Sequence, residues 1–241
     1  MKYEHNGRNL SGRVTQLLAA LAAIVPMSVL TIWMYVIRDE APDISEFFLG
    51  PLLVGGGMIF WLLLLHLVVC RDGLQSIGFG RDRFLRDLLI GFAMGLAFLL
   101  LKFLEQPVLN GLFASRPPSD EIILLLRTVS ADPMLLALWL GPVVWIGVAG
   151  FEELWRVFVL RRFWNLFPGQ TGEWVVLLAV SALIGLAHGY QGPAAIVSIG
   201  AKSVLMGWYF KYTGRIRPLI VSHAVYDSVQ VVMAVVAIRG Y

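Results

Sequence analysis

Two carboxylates stand side by side at Glu152 and Glu153, directly after a long apolar run, and a guanidinium follows at Arg156. An ionisable side chain at membrane depth is costly unless it is paired or wetted, so it marks a functional site by default. On a helix Glu152 and Arg156 are i,i+4 and Glu153 and Arg156 are i,i+3, so either acid can pair with the arginine. Neighbouring helical positions point about 100° apart, which leaves one acid as an ion-pair anchor and one to face a cavity. The competing reading is an ordinary charged helix end continuing into Arg161 and Arg162.

Two histidines in later apolar stretches give those acids possible partners. His188 closes the stretch Ser181-Ala-Leu-Ile-Gly-Leu-Ala-His188. If the helix carrying Glu153 runs to Phe167 and turns over Pro168 to Gly172, Glu153 and His188 lie equally far from the turn. In an antiparallel hairpin equal offsets mean equal depth. His223 and Asp227 are i,i+4 on the last apolar helix, a spacing at which a carboxylate can fix the imidazole tautomer. His66, alone in an earlier segment, reads as a hydrogen-bonded packing residue, and Lys202 is expected to pair with one of the carboxylates. Together these residues offer a general base (Glu152 or Glu153), a water-positioning group (His188) and a donor for a developing oxyanion (His223). Those are the parts needed for attack of water on an amide.

The elements that must position them are written in the vocabulary of lipid. Of 241 residues 58% are hydrophobic and 15% charged, with a mean hydropathy of +0.76. A soluble domain carries about 25% charged residues. The expected fold class is therefore all-α, a polytopic bundle of about seven spans with an intramembrane polar cavity. The apolar segments are Val14 to Ile37, Phe47 to Cys70, Leu88 to Phe103, Pro133 to Phe151, Trp174 to Tyr190, Pro193 to Phe210 and Pro218 to Ile238. The third is the weakest, since it carries Lys102 and is followed by Glu105 and Pro107. Alternating the loops puts 13 Lys and Arg on the side of the N-terminus and 4 on the other, which predicts a cytoplasmic N-terminus. Residues 1–132 read as N-terminal spans and an external loop holding Pro117-Pro118 and a short amphipathic helix, and 133–241 as the catalytic core of one membrane domain. Gly91 and Gly95 form a small-xxx-small pair for close helix approach. The single cysteine, Cys70, excludes an internal disulfide, and the net charge of +3 follows membrane loops rather than nucleic acid.

From about Leu140 to Gln230 the chain resembles the CPBP family, the membrane proteases and bacteriocin-processing proteins that include the type II CAAX prenyl endopeptidases. The resemblance lies in the order and spacing of the three motifs and in Met206-Gly-Trp-Tyr-Phe-Lys-Tyr-Thr-Gly214. It implies an intramembrane cavity, water activated by Glu152 and His188, an oxyanion held by His223 and Asp227, and Glu153 with Arg156 in support. Three positions depart from the family pattern. Only Leu154 and Trp155 separate the glutamates from Arg156, where the family has three residues; alignment on the arginine would put Phe151 at the base position. Ile184 replaces a common phenylalanine, and Asp227 a common asparagine. An ionised aspartate cannot donate to an oxyanion, so Asp227 would orient His223 or stay protonated.

The leading expectation is a glutamate-type intramembrane endopeptidase with Glu152 as base, acting on a membrane-associated or C-terminally targeted protein in a bacterial inner membrane. No cofactor is expected. A zinc variant is kept because two histidines and a carboxylate are suitable ligand types. The non-enzymatic alternative is a CPBP-like protein of the bacteriocin-immunity kind that binds a peptide or partner in the same cavity. Membrane lipid is the remaining expected partner, and oligomeric state is not readable. A transporter would be expected to show broken helices or inverted repeats, which the sequence does not announce.

Overall fold

The computed structural model describes residues 10–32, 44–80, 82–113 and 120–239, and among these every regular element is helical. In chain order they are α1 (Leu10–Ile32), α2 (Ile44–Leu64, continued by a wide turn Leu65–Val69), α3 (Phe84–Leu112), α4 (Asp120–Ala131), α5 (Pro133–Leu138), α6 (Phe151–Leu166), α7 (Gln170–Ala187), α8 (Pro193–Thr213) and α9 (Arg217–Arg239). Six stretches are long and apolar enough to cross a membrane: Leu10–Ile32, Phe48–Val69, Phe84–Leu112, Pro133–Leu166, Gln170–Ala187 and Arg217–Ile238. The chain is a polytopic, all-helical membrane protein. Helix α8 has the length but, with Lys202 midway along it, is not among the six.

The weak third segment proves to be the long helix α3, which runs through Lys102, Glu105 and Pro107 to Leu112. The short amphipathic helix expected before Asp132 is α4, whose Leu125 and Val129 are buried. Pro117-Pro118 lie outside the described residues, as do Lys2, Arg8, Arg38, Arg81 and Arg116 of the loop-charge count.

Two compact units divide the chain. The first holds Met1–Arg38, Phe60–Arg81 and Leu154–Ile216; the second holds Asp39–Ile59, Asp82–Glu153 and Arg217–Tyr241. Each draws on both the 1–132 and the 133–241 portions of the sequence.

In the first unit α7 and α8 pack as a hairpin whose ends follow from local chemistry. The α6–α7 turn falls at Phe167 to Gly169, close to the position read from Pro168. Pro193 opens α8 at its first turn, where a missing N–H costs nothing. Gly214 closes α8 with φ +63, a left-handed conformation that favours glycine. Helix α6 is buried from Leu154 to Leu160, and the Trp155 indole donates to the Ala23 carbonyl of α1 at 3.0 Å.

In the second unit α3 and α9 form the main seam. Their contacts climb both helices together. Buried Asp87 accepts from Arg217 at 3.3 Å, Gly91 faces Pro218 and Val221, Gly95 faces Ser222 and Val225, and Lys102 donates to Gln230. The two helices are therefore parallel, and the small-xxx-small pair is the site of their close approach. A Cβ on Gly95 would sit 2.9 Å from the Ser222 carbonyl oxygen and from Val225. Gly95→Val is expected to destabilise the protein by about 1–3 kcal/mol through overpacking. Thermal unfolding in detergent checks this against Gly50→Ala, a position with open space around it.

Candidate active site

The stretch that delivers the two glutamates is not a plain helix. Asp132 caps α5, its Oδ1 accepting from the backbone N–H of Met134 at 2.7 Å. From Trp139 to Gly150 the helix widens, and Gly141 leaves helical geometry (φ −89°, ψ −106°) just before Pro142, which has no N–H to give. The sequence does not announce this break. The wide segment ends at Gly150, so Glu152 and Glu153 fall in the first turn of α6. Local widenings of this kind are frequent at functional sites.

Small residues bring α9 against this turn. Ala224 is wholly buried and packs with Val144 and Ala149 of the wide segment. With no bulk at that position, the neighbouring His223 reaches the glutamates. Its Nδ1 lies 2.8 Å from Glu153 Oε1, its Nε2 3.3 Å from Asp227 Oδ2, and the same Nε2 4.0 Å from Glu152 Oε2. Glu153 is completely buried, whereas the side chains of Glu152 and Asp227 are 22% and 27% exposed. One imidazole thus stands between three carboxylates, all four residues in the second unit. When both ring nitrogens donate, the ring is an imidazolium; when it is neutral, one carboxyl group must carry the proton. The short, buried bond to Glu153 fixes the Nδ1 side and leaves Nε2 facing the more accessible acids.

Sequence reasoning had joined His223 to Asp227 and the glutamates to Arg156. It did not foresee the Glu153–His223 bond, because the two are separated by 70 residues and no periodicity relates them. Arg156 and His188 belong to the first unit. The Arg156 guanidinium is buried, with Nη1 3.3 Å from Met206 Sδ. His188 is the C-cap of α7, and its Nδ1–H donates to the Ile184 carbonyl at 2.8 Å. That bond makes Nε2 the basic nitrogen of a neutral His188. Lys202, expected on a carboxylate, donates to the Ser198 hydroxyl.

His66 is the packing histidine it is expected to be, wholly buried, with a partner that reads in the sequence as part of a charged helix end. Arg162 is completely buried and donates to His66 Nδ1 at 2.8 Å, to Asp72 Oδ2 at 2.7 Å and to Gln16 Oε1 at 2.8 Å. Nearby, burial pushes the Cys70 thiol up, against a smaller opposing pull from Arg162. A thiol held protonated at neutral pH is a poor nucleophile.

Among the described residues no group of three or more His, Cys, Asp or Glu is arranged to hold a metal. At His223 both imidazole nitrogens face carboxylates.

Comparison with known proteins bears on the same region. Residues 134–229 match the family model described as type II CAAX prenyl endopeptidase Rce1-like. No curated protein and no solved structure matches the chain. The matched stretch begins in the first turn of α5, ends just past Asp227 and takes in all three motifs. It is less than half of the chain, and supports a membrane protease at the level of the family. Over residues 134–229 the chain is similar to the Rce1-like type II CAAX prenyl endopeptidases, in agreement with the CPBP family recognised from its motifs.

Proposed function

We propose that this protein is a glutamate-type intramembrane endopeptidase, with Glu152 as the general base. The observation that carries the reading is the meeting of Glu152, Glu153, His223 and Asp227 within helices that span the membrane. Glu152 is the more accessible of the two acids and stands on the Nε2 side of His223. It takes a proton from water as hydroxide attacks the scissile carbonyl. His223 Nε2–H donates to the tetrahedral oxyanion. The proton on Glu152 then passes to the leaving amine as the C–N bond breaks. Glu153 is the positioning residue: its buried carboxylate accepts from His223 Nδ1 and holds the ring to its task. Asp227 orients the other edge of the ring, and Arg156 holds its own stretch of α6 against Met206.

The chain crosses the membrane seven times in this reading. Parallel neighbours need an odd number of crossings between them, and α8 supplies the third between α3 and α9 after Pro133–Leu166 and Gln170–Ala187. The loop charges support a cytoplasmic N-terminus, and the protein sits in a bacterial inner membrane in this reading. The substrate is a membrane-associated peptide segment, reached from lipid or from the cytoplasmic side.

Cleavage by protein reconstituted in liposomes is expected to resist both strong chelators and thiol alkylation. It is expected to disappear in the Glu152→Ala, Glu153→Ala double variant. Inhibition by chelators, reversed by zinc, would replace the glutamate mechanism with a metal one. Cleavage surviving in the double variant would sink the reading altogether.

A further inference from the structure

His66 and Arg162 are wholly buried ionisable groups that the proposed chemistry does not use. His66 lies in the wide turn Leu65–Val69 that continues α2, and residues 70–80 run on from it over the last turns of α6. Three contacts fasten this stretch. Arg162 Nη2 donates to Asp72 Oδ2 at 2.7 Å, and Arg161 Nη1 donates to the Ser76 carbonyl at 2.6 Å. The His66 ring joins the two sides: Nδ1 accepts from Arg162 at 2.8 Å, and Nε2–H points at the Gly73 carbonyl (3.1 Å) and the Ser76 hydroxyl (3.0 Å). Further on, Gly78 (φ +92) presses on the α8–α9 turn, where a Cβ would lie 2.6 Å from the Gly214 carbonyl oxygen. At the near end Arg71 holds a left-handed backbone (φ +53), which costs a non-glycine residue and works against the fastening.

We infer that residues 70–80 form an acid-released strap, with His66 as its proton sensor. A neutral imidazole has one acceptor nitrogen, and here it is committed to Arg162. Protonation turns that acceptor into a donor and sets a second positive charge 2.8 Å from a buried guanidinium. The charged groups facing His66 are Arg161 and Arg162 of α6 and Asp72 of the strap, and the Cys70 thiol stands beside the same Arg162 and Asp72. Gln16 of α1 and the edge-on Phe158 ring complete the surroundings without charge. Asp72, the acid facing the ring, is already held by Arg162. A proton is therefore taken up as the strap leaves. The released state binds one proton more than the fastened one, so the strap is fastened above the ordinary histidine value of about 6.5 and lost as pH falls below it. Release gains about tenfold for each pH unit below that point, the effect of a single proton. The device acts on the last turns of α6, the helix whose first turn carries Glu152 and Glu153. Nothing in it requires the endopeptidase chemistry.

Hydrogen–deuterium exchange of the full chain in nanodiscs tests this, read peptide by peptide from about pH 7.5 to about pH 5 and corrected for the pH dependence of intrinsic exchange. Within the strap the Ser76, Gly78 and Phe79 N–H groups are hydrogen-bonded to Gly73, Gln75 and Leu74. Their protection is expected to fall about tenfold per pH unit below about pH 6.5, while α7 and α9 keep theirs. Labelling of Cys70, the single cysteine, taken relative to the denatured chain at the same pH, should rise over the same range. His66→Gln offers Arg162 an acceptor and the strap a donor but takes no proton, so it should keep the strap protected throughout. Asp72→Asn weakens the fastening and should move release to higher pH. Strap protection that ignores pH, the same acid loss in His66→Gln as in the wild type, or an equal loss in the strap, α7 and α9 overturns the proposal. A His66→Gln chain that does not fold leaves Asp72→Asn to decide, and an unshifted release in that variant overturns the proposal as well.

Discussion

Glu152→Gln is expected to leave the protein folded and to lower peptide cleavage by about 10²- to 10⁴-fold, the usual worth of a general base. Glutamine keeps the size and hydrogen-bonding reach of the side chain and removes only its ability to take a proton. The exchange keeps the shape of a side chain that is 22% exposed and stands 4.0 Å from His223 Nε2. Glu153 should behave differently. Its completely buried carboxylate accepts from His223 Nδ1 at 2.8 Å, so Glu153→Ala strands a buried donor. That costs about 1–3 kcal/mol in stability, and activity falls with it. Cleavage of a fluorogenic membrane peptide and thermal unfolding, measured on both variants, separate the two roles. If Glu152→Gln stays active while Glu153→Gln is stable and inactive, the assignments exchange places.

The second large effect lies away from the proposed chemistry. Arg162→Met is expected to destabilise the protein by about 3–5 kcal/mol, because it removes one partner of a buried ion pair and leaves the other. The guanidinium is completely buried and serves three acceptors from two other segments, Gln16 of α1 and His66 and Asp72 at the end of α2. The Phe158 ring lies 4.9 Å beneath it. His66 accepts at Nδ1, so its Nε2–H is committed to the Gly73 carbonyl at 3.1 Å and the ring is neutral in this arrangement. Arg162→Lys should recover only part of the loss, since a point charge cannot reproduce the fork of a guanidinium. An exposed arginine is the control: Arg83→Ala, at 62% side-chain exposure, should cost no more than about 1 kcal/mol. Unfolding midpoints in detergent decide between these, and equal midpoints for the Arg162 and Arg83 variants would remove the network's structural role.

Much of this was legible in the chain because lipid imposes strict rules on sequence. Hydrocarbon forces backbone groups into helices, so long uncharged runs translate directly into spans, and the runs around α1, α2, α7 and α9 did so. The i,i+4 pairing of His223 with Asp227 and the turn near Pro168 depend on neighbours in sequence and were readable for that reason. Helix α3 was under-read, because hydropathy counts Lys102 and Glu105 against a span and takes no account of a partner such as Gln230. Arg162 was misread on the same ground. Next to Arg161 it looks like loop charge, and only Asp72, His66 and Gln16, brought from elsewhere, make its burial tolerable.

What the sequence by itself determined is the class of protein, the helices, and the residue types available for chemistry, because these depend on composition, local period and short spacing. The tertiary structure decided which of those residues meet. It put Glu153 rather than a nearer residue on His223 Nδ1, left Glu152 as the more accessible acid, and aligned α3 and α9 in parallel so that Lys102 reaches Gln230. Each of those contacts joins residues 70 or more positions apart. Helix packing sets them through glycine and alanine seams at Gly91, Gly95 and Ala224, where the absence of side-chain bulk lets backbones approach.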